Sequence, residues 1–273
     1  FHREPKNLKK LEHLSEISDQ YDTYIIDLWG VMHNGIQLNV PAIKAVEKLI
    51  EINKRIIFLS NAPRPSKNVI NFLRKLKMNE KFLKNVLTSG EAAIDSIKQN
   101  KFGKKFFHLG PQRDMSLFKG LEQNKSDIKE CDFILCTGLF DDNENLDYYK
   151  DLFKNNTSKK LICTNPDLIV HRGNETEYCA GKLAEIYNLL GGEVVYFGKP
   201  HKKVYDLILK NGEKNLIIGD NLNTDIKGAN NLKIDSLFIY NGVHRNEVKT
   251  EKDLSNLLDN YKVKTQFYQK EFC

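Results

Sequence analysis

The 273-residue chain has no apolar run approaching the length of a membrane span, and its first twenty residues are charged and polar. That sets aside a membrane-spanning reading. The chain opens on Phe1 rather than Met, which leaves room for a lost leader. It has no CxxC pair. Its five cysteines (131, 136, 163, 179 and 273) are odd in number and sit among apolar neighbours, so they read as reduced, packed thiols of a cytoplasmic protein. A disulfide framework and a zinc site are thereby disfavoured. There is no basic block either: the net charge of +6 is spread along the chain, without the cluster or motif of a nucleic-acid binder. A mild positive field would still steer anionic substrates, and a lysine-rich composition accounts for it equally well. Repeats and low-complexity tracts are absent. Forty per cent hydrophobic and 29% charged residues are ordinary for a globular protein, and the length allows one large or two modest domains.

What is present is an alternation. Tyr24-Ile25-Ile26 runs into Asp27, and Gly30 releases the chain after Leu28-Trp29, the pattern of a buried central strand closing on a carboxylate. In open α/β sheets the carboxyl ends of strands bind ligands, although an Asp there is also an ordinary turn former. A polar lead-in with a short helix around Leu8 to Ile17 precedes it. After a loop over Val31 to Gln37, Asn39 and Pro41 start a helix with Ile43, Val46, Leu49 and Ile50 on one face. Arg55 to Leu59 is a second strand, ending in Ser60-Asn61, and Pro65 opens the next helix. Val86-Leu87 is a third strand, and Thr88 with Glu91 makes a capping box for a helix to about Gln99.

From Lys104 the rhythm loosens. Strands at Phe106–Leu109, Phe133–Leu135 and Leu161–Cys163 are separated by more polar connections, which places an inserted second domain over residues 101–192. The regular alternation resumes with a strand at Val194 to Phe197, a helix from Pro200 to Lys210 and a strand at Leu216 to Ile218. A helix after Thr224, a strand at Ser236 to Tyr240 and a terminal helix near Leu254 to Leu258 complete it. This predicts an α/β protein with a doubly wound parallel sheet, its core drawn from residues 1–100 and 193–273.

Four strand ends carry residues with chemistry: Asp27; Ser60-Asn61; Gly198-Lys199-Pro200; and Gly219-Asp220, with Asp225 five residues on. Two carboxylates from different strands repel unless a cation lies between them, and Mg²⁺ suits a shell of protein, water and phosphate oxygens. A hydroxyl and exposed N–H groups ahead of a helix make a phosphate cradle, and a lysine neutralises charge. Together these describe phosphoryl transfer through an aspartyl-phosphate. Each part alone has a plainer reading. Ser60-Asn61 could cap a helix, Lys199 could be a solvated loop residue, and Asp220 to Asp225 could be a turn with an N-cap. Their order, each at a strand end, outweighs these plainer readings.

That order (DxxG, SN, GKP, GDxxxTD) resembles the haloacid dehalogenase superfamily, and more narrowly its NagD-type and p-nitrophenyl phosphatase branch, class IIA. Leu87-Thr88-Ser89 and Thr164-Asn165-Pro166-Asp167 support the resemblance, which covers about residues 20 to 245. It implies a Rossmann-like core with an inserted α/β cap and Mg²⁺-dependent hydrolysis of a small phosphate monoester such as a sugar phosphate or nucleotide. By the same resemblance Asp27 is the nucleophile and binds Mg²⁺ with Asp220 and the backbone carbonyl of Trp29. Asp225 orders the metal's waters, Ser60 and the Asn61 backbone hold the phosphate, and Lys199 stabilises it. Caps of this branch often form dimer contacts, so a homodimer is compatible. Neither a nucleic acid nor a membrane is implied as partner.

One position departs from the pattern. Most phosphatases of the superfamily carry a second aspartate two residues after the nucleophile, as general acid and base; here it is Trp29. Losing such a group typically costs about 10²–10⁴-fold in rate. Two alternatives therefore stand beside the phosphatase: a catalytically weakened phosphate-binding or sensor protein, and a metal-independent, dehalogenase-like hydrolase. Retention of Asp220 and Asp225 favours phosphate chemistry. His33 is the candidate substitute proton carrier, since its pKa lies near neutrality, with a surface-loop histidine as the plainer and preferred reading. In the cap, Asn165, Asp167, His171 and Arg172 are candidates to read the substrate's non-phosphate part, Arg172 by bidentate hydrogen bonds, and Arg64 is a weaker one. Solvated loop residues are the alternative for His171 and Arg172.

Overall fold

Apolar runs buried on both faces make the central strands. Thr23–Ile26 is fully buried along its length, and Asn215–Gly219 beside it is nearly so, as parallel strands covered by helices on both sides must be. The computed structural model describes residues 8–172 and 175–273. Its larger sheet has seven strands in the order Lys9–Lys10, Phe267–Gln269, Asp235–Ile239, Asn215–Gly219, Thr23–Ile26, Arg55–Ser60 and Val86–Thr88. Thr23–Ile26 and Asn215–Gly219 pair in parallel, Ile26 opposite Ile218, and from this pair the chain order runs outward in opposite directions. That is the topological switch point of a doubly wound sheet.

The flanking helices form for local reasons. Asn39 Oδ1 accepts from the Ala42 N–H at 3.5 Å and Pro41 occupies the first turn of Val40–Glu51. Its buried stripe is Ala42, Ala45, Val46 and Leu49, with Ile43 and Ile50 only half-buried. The small alanines rotate the contact face away from the one expected. Thr88 Oγ1 accepts from the Glu91 N–H at 3.1 Å and starts Ser89–Lys98.

A second sheet has four strands, all parallel, in the order Glu193–Tyr196, Lys160–Cys163, Phe133–Cys136 and Phe106–Leu109. Ile134, Leu161, Tyr149, Phe153 and Tyr187 form part of its core. Cys131, Cys136, Cys163 and Cys179 are buried and form no disulfide, and burial raises the Cys163 thiol to about 12. Ile169–Arg172 and Glu175–Tyr178 form an antiparallel pair. By compactness the chain divides into two units. One holds residues up to Ser60, Ile70–Val86 and Ile208–Cys273; the other holds Asn61–Val69 and Leu87–Leu207. No helix among the described residues is long and apolar enough to cross a membrane.

Several elements differ from expectation. The lead-in is not a helix over Leu8 to Ile17 but a two-residue strand, Lys9–Lys10, followed by 3₁₀ turns at Leu14–Glu16 and Ser18–Gln20. Lys9 pairs with Phe267 of a C-terminal strand too short for a period to reveal. The strand expected at Val194 to Phe197 forms as Glu193–Tyr196 beside Lys160–Cys163, in the smaller sheet rather than the larger. Alternation identifies a strand but not the sheet it joins. The helix expected from Pro200 to Lys210 is one turn, Lys202–Asp206. After Asp220 the chain makes a π-helical turn, Leu222–Ile226, before the α-helix Lys227–Leu232.

Candidate active site

Asp27 and Asp220 are the first residues beyond the two strands at the switch point. Asp27 donates its N–H to the Ile218 carbonyl at 2.9 Å, continuing the ladder by one residue and bringing it alongside the end of the neighbouring strand. The π-turn returns Asp225 to the same place, its N–H donating to the Asn221 carbonyl (3.0 Å) and its Oδ2 accepting from the Asn221 N–H (3.2 Å). A π-turn inside a helix is a frequent mark of function. Ligand oxygens of Asp27, Asp220 and Asp225 lie within 4.8 Å of one another, with Asp220 5% and Asp225 1% exposed.

The electrostatics follow from this crowding. Burial, reinforced by the charges of Asp27 and Asp225, pushes the Asp220 carboxyl well above the ordinary carboxylate range. The Val243 N–H, donating to Asp220 Oδ2 at 2.9 Å, opposes the shift. Space is equally tight: a Cβ at Gly30 (φ +86°) or at Gly242 would overlap Asp220 Oδ2, and one at Gly219 would overlap the Asp225 carboxyl. The donor set is oxygen only, largely buried, convergent and mutually repulsive, which fits a hard divalent cation.

Around this cluster the loop Leu28–Asn39 folds on itself. His33 is 4% exposed, which overturns the reading of a surface-loop histidine. Its Nδ1 accepts from the Gly35 N–H at 3.0 Å, and burial, only partly offset by the Asp27 charge, pushes the imidazole down to about 4. Trp29 remains 54% exposed.

The second unit holds other expected residues. Lys199 is 3% exposed rather than solvated. The buried Asn61 carboxamide clamps its peptide: Oδ1 accepts from the Lys199 N–H (2.8 Å) and Nδ2 donates to the Lys199 carbonyl (3.0 Å). Asn61 Nδ2 also donates to Asp167 Oδ1 at 3.0 Å, so the side chain binds two loops. Asn165 Oδ1 accepts from the Asp167 N–H at 3.1 Å in a local turn. Arg64 pairs with the buried Asp114, Nε to Oδ1 at 3.4 Å. The backbones of His171 and Arg172 end a strand; their side chains lie outside the described ones. Ser60 closes the strand Arg55–Ser60, half-buried.

A family model described as haloacid dehalogenase-like hydrolase matches residues 24–123, and one described as HAD-hydrolase-like matches residues 196–260. A solved haloacid dehalogenase-like hydrolase from Brucella suis is 31% identical, with a TM-score of 0.81 over 96% of this chain and 100% of that one. The chain belongs to the haloacid dehalogenase-like hydrolases. The 5'-nucleotidase YutF of Bacillus subtilis is 24% identical over 85% of this chain and 91% of its own length. A 4-nitrophenylphosphatase of Schizosaccharomyces pombe is 26% identical over 94% and 96%.

Within this haloacid dehalogenase-like hydrolase several residues around the acids carried no sequence signal of their own. His244, 4% exposed, accepts from the Leu222 N–H through Nε2 at 3.0 Å and meets Glu247 through Nδ1 at 2.7 Å, anchoring the π-turn that carries Asp225. Gly30, Gly242 and Val243 shape the Asp220 cavity. Gly30 was legible only as the glycine that closes DxxG, and Gly242 only as a glycine three residues past a strand end.

Proposed function

We propose that the chain is a phosphatase that hydrolyses a small phosphate monoester through an aspartyl-phosphate on Asp27, with Mg²⁺ as cofactor. The observation that carries this reading is the meeting of three carboxylates, Asp220 and Asp225 buried and Asp27 half-buried, at the switch point of the large sheet. Asp27, Asp220 and the Trp29 carbonyl would hold the cation and Asp225 would order its waters. When bound, Mg²⁺ supplies charge neutralisation and Lewis acidity toward the phosphoryl oxygens.

The chain's own residues do the rest. The Asp27 carboxylate, one oxygen accepting from the Leu28 N–H at 2.9 Å, attacks phosphorus. The Ser60 hydroxyl and Asn61 backbone would hold phosphoryl oxygens, and Lys199 would neutralise their charge, its backbone fixed by the Asn61 side chain. Water then cleaves the acyl phosphate. Residues 101–192 would serve as the cap, with Asn165, Asp167, His171 and Arg172 reading the rest of the substrate. His33 is assigned a positioning part, because its Nδ1 is engaged and burial keeps the ring neutral. The phosphatase names of two relatives support the reading.

A metal-independent, dehalogenase-like reaction would leave the buried Asp220 and Asp225 beside Asp27 with no counter-charge. A binding or sensor role keeps one specific observation in its favour, the indole where the family places its acid. Phosphate release from a panel of monoesters, with Mg²⁺ and with EDTA, separates the readings. The expected result is release that stops in EDTA and returns with added Mg²⁺. Undiminished release in EDTA, or tight Mg²⁺-dependent phosphate binding with no release, overturns it.

A further inference from the structure

Trp29 is the chain's single tryptophan, and it stays 54% exposed although its ring is held from several sides. Phe72 lies parallel to it, centroids 6.4 Å apart and planes at 7°. His33 meets it edge-on at 5.3 Å and meets Phe72 at 5.5 Å. Gly35 (φ +90°) packs so closely that a Cβ there would stand 2.7 Å from the indole. The loop beneath is tied to itself. The Leu28 carbonyl accepts from the Met32 N–H, the His33 carbonyl accepts from the Gly30 N–H (both 2.8 Å), and Asn34 Oδ1 accepts from the N–H groups of Ile36 and Gln37 (both 2.9 Å). Ile36 in the same loop and Val40 at the start of the following helix are also exposed apolar side chains, at 83% and 58%. An exposed indole fixed this firmly is a preformed flat surface, which lowers the ordering cost of stacking.

The indole also stands two residues beyond the nucleophile, where an acid would protonate the leaving oxygen. Its N–H donates a hydrogen bond but does not transfer a proton, and His33 is 4% exposed, its ring packed edge-on against Trp29 and Phe72. Two independent features thus converge on the leaving group. It must depart as a stabilised anion, and it meets an aromatic face.

We propose, resting on the phosphatase reading above, that Trp29 is a specificity-determining shelf for the leaving group, and that the substrates are phosphate monoesters of phenol-type hydroxyls on a flat aromatic ring. An Asp27 carboxylate oxygen forms its bond to phosphorus as the bond from phosphorus to the aryl oxygen breaks, and the electron pair leaves with the phenolate. Water then attacks the acyl phosphate, regenerating the carboxylate and releasing inorganic phosphate, and its proton passes to solvent.

The test uses the full chain with Mg²⁺ on substituted phenyl phosphates, glycerol phosphate and ribose 5-phosphate. kcat/KM should rise steeply with the acidity of the leaving phenol and exceed that of the alkyl esters by about 10²-fold or more. Trp29→Ala should lower the aryl-over-alkyl ratio about tenfold, mainly through KM, and Trp29→Phe should restore most of it. A second readout needs neither turnover nor a variant: phenylphosphonate, but not methylphosphonate, should shift the emission of the sole tryptophan to the blue. Equal rates on alkyl and aryl esters, an unchanged ratio in Trp29→Ala, or emission indifferent to phenylphosphonate overturns the shelf and leaves the phosphatase standing. If no ester is hydrolysed yet phenylphosphonate shifts the emission, the shelf stands and the phosphatase reading falls.

Discussion

Both units carry a parallel sheet with aspartate, histidine and glycine at or just beyond its strands' carboxyl ends, yet the two sets of residues behave differently. In the larger sheet the chain order reverses between Thr23–Ile26 and Asn215–Gly219; in the smaller it runs one way from Phe106–Leu109 to Glu193–Tyr196. A reversal sends the connections apart and opens a crevice at the strand ends. Where there is none, the groups close on one another. His108 Nε2 meets Thr137 Oγ1 at 2.8 Å, a Cβ at Gly110 would overlap that hydroxyl, and Arg64 covers Asp114. Burial raises the pKa of both Asp114 and Asp220, but their neighbours act oppositely. Arg64 and Arg113 pull Asp114 back down, whereas Asp27 and Asp225 push Asp220 further up. One acid is a satisfied structural ion pair. The other is left with a repulsion that a cation would relieve.

Substituting the two acidic centres should break the comparison most sharply. Asp27→Asn is expected to reduce kcat at least about 10⁴-fold, while Asp114→Asn changes it by no more than a few-fold and shifts stability by no more than about 1 kcal/mol, since the Arg64 side chain is 37% exposed and stays solvated. Steady-state rates and urea unfolding on both variants check this, and comparable rate losses would erase the distinction. Two glycines with positive φ make the next contrast. Gly30→Ala drives a Cβ into Asp220 and should lose about 10²-fold in rate. Gly120 (φ +90°) has no heavy atom within 4 Å of an added Cβ, so Gly120→Ala should cost only the backbone strain, about 1 kcal/mol in thermal unfolding.

A further effect, on stability rather than rate, is one the two units share. Burial lowers both His33 and His108 to about 4, against about 6.5 when unfolded. As pH falls the unfolded chain is protonated first. Stability is therefore full above about 6.5, declines between about 6.5 and 4, and is level below, by roughly 3 kcal/mol per histidine. Urea titrations at pH 7 and pH 5 should show the decline, and His33→Gln and His108→Gln should each remove about half of it. A slope removed by only one substitution would show that the two burials are not equivalent.

Much of the frame was legible because apolar runs ending in polar residues have a local cause. Tyr24-Ile25-Ile26-Asp27 and Leu216-Ile217-Ile218-Gly219-Asp220 each read as a buried strand closing on a carboxylate, and each forms so. Thr88 with Glu91 announced a helix start for the same reason, a side chain satisfying an N–H within its own turn. His33 was misread because burial is a property of neighbours: Phe72, nearly forty residues on, and Trp29 cover it. The sheet that takes Glu193–Tyr196 could not be read either, since pairing partners leave no mark in a strand's own period.

Residue order alone determined which strands end in an acid, a hydroxyl or a lysine, because strand and cap signals act over a few neighbouring residues. Only the tertiary structure decided that Asp27, Asp220 and Asp225 share one crevice shaped by glycines, that Asn61 grips the Lys199 peptide, and that the one tryptophan is held flat and half-exposed. The physical reason is distance along the chain. Charge repulsion, desolvation and close packing arise between groups separated by tens to hundreds of residues, and they exist only once the sheet has brought those groups together.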